Sequence, residues 1–214
     1  MIEKIEVLAH SSIRIRLESG SIYIDPFHVE EAFHDAALIL VTHDHYDHFS
    51  PEDIRKVCRE DTILAVPENM KDKAEDVAGS VGKIVTVRAG RNYNIDDFEF
   101  ETLPAYNTLK PFHPKSAGWV GYILQIEGQR IYIAGDTDIT KENKQVSCDI
   151  ALVPVGGTYT MDAGKAAKLV NIIRPKIAVP THYGDIVGKK EDAAIFAQNV
   201  DPDIRVEIRM KGQS

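Results

Sequence analysis

An uninterrupted apolar run, Ala37-Leu38-Ile39-Leu40-Val41, is the feature that most restricts the fold of this chain. A strand with one face in water alternates apolar and polar residues, whereas an unbroken apolar run is expected of a strand covered on both faces. The chain therefore needs a layer of structure on each side of a sheet. At 214 residues it is long enough to build those layers.

The rest of the chain repeats a series of strands followed by helices. Strand patterns occupy the first forty residues, and Pro51 and Pro67 are placed to open helices, the second running to about residue 78. Further strands include a hairpin across Gly128, and the last third alternates strands with helices over 161–173 and 191–198 before a closing strand at 204–208. Two such series predict an α/β fold with two packed sheets and outer helices. No linker-like segment divides residues 1–214, which predicts a single domain.

Composition and charge narrow the class of function. Hydrophobic residues at 43% and charged residues at 27% are typical of a globular protein, and no apolar window is long enough for a membrane span. The formal net charge of −8 argues against a nucleic-acid-binding surface. The N-terminus reads as a strand and not as a signal peptide. Cys58 and Cys148 are far apart, which predicts reduced thiols and a cytoplasmic location.

Metal-ligand side chains crowd directly after the apolar run, in the hexapeptide HDHYDH at 43–48. His43 and His45 are two apart in extended chain, so they face the same side and can bind one ion. A turn at Tyr46 brings Asp47 and His48 to a second position nearby. Imidazole with carboxylate suits zinc, iron or manganese better than calcium or magnesium. The alternative, a solvated polar turn, does not explain three histidines in six residues.

Two distant strand ends carry further candidate ligands. The segment IYIAGDTD ends a strand at Gly135-Asp136, and KIAVPTHYGD ends another at Pro180-Thr181-His182. Taken alone, Asp136 is equally a helix N-cap and His182 equally a loop histidine. Three strand ends with ligand-type residues in one domain favour a shared metal site, in which Asp136 bridges two cations.

These motifs resemble, in type and order, those of the metallo-β-lactamase superfamily. HDHYDH resembles its H-x-H-x-D-H signature, and Asp25 in IYIDP resembles the acid of its first motif. Asp136 resembles the bridging aspartate and His182 the last histidine. The resemblance, which spans about residues 10–182, implies a four-layer αββα sandwich. AHSSIRIRLESGSIYIDP and the segment from PVGGTYT to PTHYGD resemble the branch of Zn-dependent hydrolases that includes ascorbate-6-phosphate lactonase, where His10 and Asp25 would lie close to the metals.

The chain departs from the family at one position. The family commonly has Ala-x-His before the segment that here begins at Gly118, whereas this chain reads Ala105-Tyr106-Asn107. Asparagine is a poor zinc ligand. His113 is near enough in sequence to replace the missing histidine, and its alternative is an exposed loop histidine. If neither residue binds, the first metal site is weak and a single ion is expected.

The resemblance implies a metal-dependent hydrolase with two divalent ions, most simply Zn²⁺, with Mn²⁺ or iron as alternatives. The metal would ionise a water that attacks a small ester, lactone or phosphodiester, so no serine or cysteine nucleophile is needed. Asp47 would also accept a proton. The implied metal ligands are His43, His45, Asp47, His48, His113, Asp136 and His182. Residues implied near the metals or the substrate are His10, Asp25, Asn107, Thr158, Tyr159 and Tyr183, with packing an equal alternative for the last three.

Other activities remain open on the same fold. An iron-dependent redox enzyme and a nuclease are alternatives, although the acidic charge disfavours a nucleic-acid partner. A metal-stabilised binding module without catalysis is a third. A small-molecule substrate is expected, whereas its identity and any homo-oligomer are not determined by the sequence.

Overall fold

The structure is a computed structural model that describes residues 1–210. The described chain forms two compact units: unit 1 contains residues 1–88 with Met210, and unit 2 contains residues 89–209. Each unit has its own mixed sheet and its own helices. The expectation of a single domain over 1–214 stays a prediction.

Unit 1 contains a six-stranded sheet whose spatial order follows the chain. The first three strands are antiparallel, and the third to sixth are parallel. The strands are β1 (Ile5–Ala9), β2 (Ser12–Ile15), β3 (Ser21–Ile24), β4 (Ala36–Leu40), β5 (Cys58–Pro67) and β6 (Lys83–Val87). The helices are α1 (Pro51–Val57), α2 (Lys71–Ala74) and 3-10 turns at Ile2–Lys4, Glu68–Met70 and Glu75–Ser80.

The apolar run lies in the middle of this sheet, as predicted. All five residues of β4 are buried, and β4 lies between two parallel neighbours. Helix α1 begins where the sequence predicts: the Ser50 hydroxyl accepts from the backbone N–H of Asp53, and Pro51 is its first residue. Ile54 of α1 packs in the same apolar core as Ile39. The loop between β4 and α1 is therefore held at both ends by buried structure.

Unit 2 contains a seven-stranded sheet in the order β13-β12-β11-β10-β9-β8-β7. Its strands are β7 (Asn92–Ile95), β8 (Phe98–Pro104), β9 (Val120–Ile126), β10 (Gln129–Ile133), β11 (Ile150–Pro154), β12 (Ile177–Thr181) and β13 (Arg205–Val206). Its helices are α3 (Ala163–Ile173), α4 (Asp192–Asn199) and 3-10 turns at Lys115–Ala117 and Asn143–Gln145. Strands β10 to β13 run parallel, so their carboxyl ends lie at one edge of the sheet.

Local chemistry explains two elements of unit 2. The predicted hairpin of β9 and β10 turns at Glu127-Gly128, whose φ angles of 49° and 75° match the tight turn that hairpins prefer. Helix α3 begins at Asp162, whose carboxylate accepts from the N–H of Lys165 at 2.8 Å. Its face of Leu169 and Val170 is buried. Both elements form as the sequence predicts.

Three sequence expectations differ from the structure. The helix predicted from Pro67 to about residue 78 begins only after Pro67, which ends β5, and of the helical residues 68–80 only α2 is α-helical and the rest is 3-10. The closing strand predicted at 204–208 is only β13, although the N–H of Glu207 still donates to Ala178 at 2.9 Å. Strand β7 was not predicted because asparagines at 92 and 94 disguise its alternation. Within residues 1–210 no helix has the length and apolarity needed to cross a membrane.

Candidate metal centre

The loop after β4 gathers the first ligand group of unit 1. It turns back at His45, whose carbonyl accepts from the N–H groups of His48 and Phe49 at 3.0 and 2.8 Å. The turn leaves His43 Nε2 only 3.1 Å from His45 Nδ1. His43 is buried and His45 half-buried. Two ring nitrogens that converge at this distance are suited to share one ion, as the sequence predicts.

A second ligand group lies beside the first in unit 1. Asp47 Oδ2 is 3.1 Å from His10 Nε2 and 3.6 Å from His48 Nε2. All three side chains are buried, and their ligand atoms lie within 4.8 Å of one another. The sequence placed His10 only near the metals. The structure places it among the candidate ligands.

Asp25 orients His48 from behind. It follows β3, which is parallel to β4, so Asp25 and the HDHYDH loop emerge at the same edge of the sheet. Its Oδ2 lies 2.7 Å from His48 Nδ1, and its two oxygens also accept from the N–H and hydroxyl of Thr42. Burial raises the pKa of Asp25, while His48 and Thr42 oppose that rise. A carboxylate on Nδ1 directs Nε2 toward a metal, the usual arrangement for a histidine ligand.

Unit 2 supplies a third ligand group around Asp136. This residue follows β10, and His182 follows β12 at the same sheet edge. Asp136 Oδ2 lies 3.2 Å from His182 Nε2 and 3.5 Å from His113 Nε2. All three residues are buried. His113 is therefore a buried neighbour of Asp136 and not an exposed loop residue. Asp136 caps no helix, because residues 137–142 are not helical.

The separations between these atoms test whether a metal fits. Two ligands each about 2.05 Å from a tetrahedral zinc lie about 3.3 Å apart. The separations in unit 1 run from 3.1 Å for His43–His45 to 3.6 Å for Asp47–His48, and those at Asp136 in unit 2 are 3.2 and 3.5 Å. Imidazole nitrogen with carboxylate oxygen is the donor set of zinc, iron or manganese. The residues present therefore fit a transition-metal ion.

Backbone strain is concentrated at these residues. Nine non-glycine residues within 1–210 have positive φ, and four of them are His10, Asp25, His113 and His182, with φ between 47° and 58°. Non-glycine residues avoid this left-handed region, and each instance costs of the order of 1–3 kcal/mol unless local bonds compensate. The fold holds these four side chains in conformations that short peptides disfavour.

Two contributors were missed by the sequence analysis. Thr42 joins Asp25 to the ligand loop, and its hydroxyl also lies 2.9 Å from His43 Nδ1. Gly156 follows β11, and a Cβ built there would overlap the carbonyl oxygen of His182 and lie 3.3 Å from its Nδ1. Only glycine permits that approach. The Gly-Gly pair after a predicted strand was the sequence signal that could have indicated the role of Gly156.

The remaining predicted residues lie in unit 2 with different surroundings. Asn107 is buried against His113, as described below. Thr158 and Tyr159 are exposed, and Tyr159 packs its ring 4.9 Å from that of Phe112. Tyr183 is fully buried, and burial raises the pKa of its hydroxyl to about 12. Substrate contacts by Thr158, Tyr159 and Tyr183 stay predictions, and the burial of Tyr183 favours its packing role.

A family model and several relatives match this chain. The model described as a beta-lactamase superfamily domain matches residues 4–182. A metal-dependent hydrolase of Hyperthermus butylicus is 30% identical over 223 residues, covering 96% of this chain and 96% of the relative. A metal-dependent hydrolase of Methanosphaera stadtmanae is 32% identical over 223 residues, covering 94% of this chain and 92% of the relative.

A similar solved structure has the same description as these relatives. The crystal structure of a protein named as a metal-dependent hydrolase from Parabacteroides distasonis is 34% identical, with a TM-score of 0.79. The similarity covers 96% of this chain and 91% of that one. The match includes both units of this chain.

Proposed function

We propose, from the premise that this chain belongs to the metallo-β-lactamase superfamily, that its ligand groups together bind two divalent ions and hydrolyse a small ester, lactone or phosphodiester. The predicted family is confirmed, and so is the α/β fold class with two sheets and helices that this family has. The relatives are named as metal-dependent hydrolases, which gives the class of activity without the substrate. Kinship with ascorbate-6-phosphate lactonase, the substrate and the cytoplasmic location stay predictions.

The proposal assigns each ligand to an ion. His43, His45 and His113 would hold the first ion, and Asp47, His48 and His182 would hold the second. Asp136 would be a ligand of both, and His10 would supply a further donor beside Asp47. What supports this assignment is the ligand spacing in each unit, which matches the edge of a tetrahedral zinc site at about 3.3 Å. The family match also runs through both units.

The bound ions would supply a nucleophile at neutral pH by lowering the pKa of water, and would polarise the substrate oxygen. The protein's own groups handle the protons. Asp47 Oδ2 is placed to accept a proton when the substrate leaves. Asp25 keeps the Nδ1 of His48 engaged, so that ring cannot rotate away.

Elemental analysis of the purified protein by plasma mass spectrometry tests this proposal. The wild-type chain is expected to hold two zinc or manganese ions and to hydrolyse p-nitrophenyl acetate, a simple lactone or bis-p-nitrophenyl phosphate. His45→Ala is expected to lose the first ion and the activity. His34→Ala is the control, because the imidazole of His34 lies outside the ligand groups and bonds the backbone carbonyl of Cys58 at 3.0 Å.

Other results would redirect the assignment. One iron per chain with an absorbance band would favour the redox alternative, and salt-dependent binding of RNA would favour the nuclease. Full metal content in His45→Ala would refute the ligand assignment. No metal after reconstitution of the wild type would refute the binuclear hydrolase.

A further inference from the structure

Asn107 stands where the resemblance to the family implies a histidine ligand, and its side chain is turned toward the loop that carries His113. Its amide Nδ2 lies 3.0 Å from the carbonyl oxygen of Phe112 and 2.7 Å from that of Tyr159. It also lies 3.3 Å from His113 Nδ1. The backbone N–H of Asn107 donates to the carbonyl of His113 at 2.9 Å. The side chain is 6% exposed, so these bonds form out of water.

The bond pattern favours a proton on Nδ1 of His113. An amide NH₂ has two hydrogens, and the two carbonyls are the nearer acceptors. His113 Nδ1 lies 3.2 Å from the carbonyl of Tyr159, which can accept a second hydrogen bond. With Nδ1–H donated there, Nε2 keeps its lone pair and points toward Asp136, 3.5 Å away. This is the tautomer that a metal requires when it binds Nε2.

His113 needs such support because its backbone is strained. Its φ is 56°, in a region that non-glycine residues avoid. The Trp119 ring packs against the imidazole with centroids 5.1 Å apart, and Lys110 ties the same loop to the carbonyls of Gly157 and Thr160. Lys110 thus restrains the loop, and Trp119 restrains the imidazole ring. Asn107 contacts both the backbone and the ring nitrogen of His113.

We propose that Asn107 is a positioning residue, whose amide holds the loop around His113 so that His113 takes the pose and tautomer for metal binding. This inference rests on the proposed function, since it requires a metal at His113. It predicts that removing the two N–H donors of the Asn107 amide weakens the binding of one metal ion and leaves the other ligands in place.

The experiment compares Asn107→Asp with Asn143→Asp in the full chain. Asp is nearly isosteric with Asn but cannot donate, so at position 107 it places a carboxylate against two carbonyl oxygens. Asn143 is the matched control: it is buried in the same unit, donates to the Asp138 carbonyl at 2.8 Å and lies in none of the ligand groups. The measurements are zinc affinity by competition with a chromophoric chelator and the cobalt(II) absorption spectrum. Circular dichroism checks folding.

Asn107→Asp is expected to lower the affinity for one of the two zinc ions by about 10–100-fold, as loss of a ligand's outer partner does. The cobalt(II) absorption spectrum is expected to change as well. Asn143→Asp is expected to keep wild-type affinity and spectrum. In a His113→Ala background, Asn107→Asp should add nothing further, because its effect passes through His113. If Asn107→Asp does not fold, Asn107→Ser, which keeps one donor, replaces it with a smaller loss expected.

Contrary results separate the two proposals. Wild-type affinity in the Asn107 variants, with loss in His113→Ala, would overturn the role of Asn107 and leave the proposed function intact. Equal losses from Asn107→Asp with and without His113 would show a general structural effect and overturn the inference. Full metal content in His113→Ala would overturn the inference and remove only His113 from the ligand assignment. A wild-type chain without metal would overturn both.

Discussion

The candidate ligands of unit 1 and those of unit 2 are positioned by different means. In unit 1, four ligands come from one hexapeptide, and a single turn at His45 places them. In unit 2 the candidates come from three separate segments: Asp136 and His182 follow parallel strands that end at one sheet edge, and His113 lies in the loop between β8 and β9. Both histidines there have left-handed backbones, at 56° and 58°. The ligand group of unit 1 therefore depends mainly on one local turn, whereas that of unit 2 depends on the tertiary arrangement of three segments.

The largest effect is expected from a substitution of Asp136, the residue that contacts both histidines of the ligand group in unit 2. Asp136→Asn keeps the shape of the side chain but removes the charge that the proposal places between two ions. Both ions are expected to be lost, with activity reduced by more than about 100-fold, beyond the loss typical of an outer partner. Elemental analysis and hydrolysis of p-nitrophenyl acetate check this. Retention of one tight ion would show that Asp136 does not bridge.

A glycine substitution tests the dependence of unit 2 on close packing. The added methyl of Gly156→Ala overlaps the His182 carbonyl, so the segment must shift, at a cost of about 1–3 kcal/mol in unfolding free energy. The free energy of unfolding measured with urea and the affinity for zinc are both expected to fall. Gly79→Ala is the control, because a Cβ there meets nothing within 4 Å. Equal behaviour of the two variants would contradict the close-packing argument.

The corresponding test in unit 1 removes an outer partner and not a ligand. Asp25→Asn weakens the carboxylate contact with His48 Nδ1, now 2.7 Å, while keeping the shape of the side chain. Zinc affinity is expected to fall by about 10–100-fold at one ion only. Competition with a chelator measures it. Unchanged affinity would mean that the HDHYDH turn alone orients His48, which would sharpen the contrast between the units.

The smallest effect concerns pH and the outer side of the His113 loop. Burial raises the pKa of Glu142, but hydrogen bonds from Lys115 and Tyr106 outweigh it and lower the pKa from 4.5 to about 2. A lowered pKa means that Glu142 stabilises the fold above pH 4.5 and that this contribution is lost as pH falls toward 2. Glu142→Gln should therefore be less stable than wild type at pH 7, with the two converging near pH 2. Thermal unfolding at several pH values measures the difference, and a constant gap would contradict it.

The sequence predicted best where a pattern is local. The buried strand β4, the cap at Ser50 and the hairpin at Glu127-Gly128 all follow from neighbouring residues, and the structure has them. It predicted least well at sheet edges, where β13 is shorter than its apolar alternation suggests. Thr42 was invisible because its role depends on Asp25, 17 residues away. Long-range bonds of this kind have no signature in one sequence.

The sequence by itself determined the metal chemistry and the family, because HDHYDH concentrates nitrogen and oxygen donors that have few other uses at the end of a buried strand. Tertiary structure alone decided where the side chain of His113 lies relative to Asp136. The His113 ring lies 3.5 Å from Asp136, Asn107 and Trp119 contact that ring, and Lys110 bonds the loop to the carbonyl of Gly157. The physical reason is that a left-handed histidine is unfavourable by itself, so its position is set by the bonds around it and not by its neighbours in sequence.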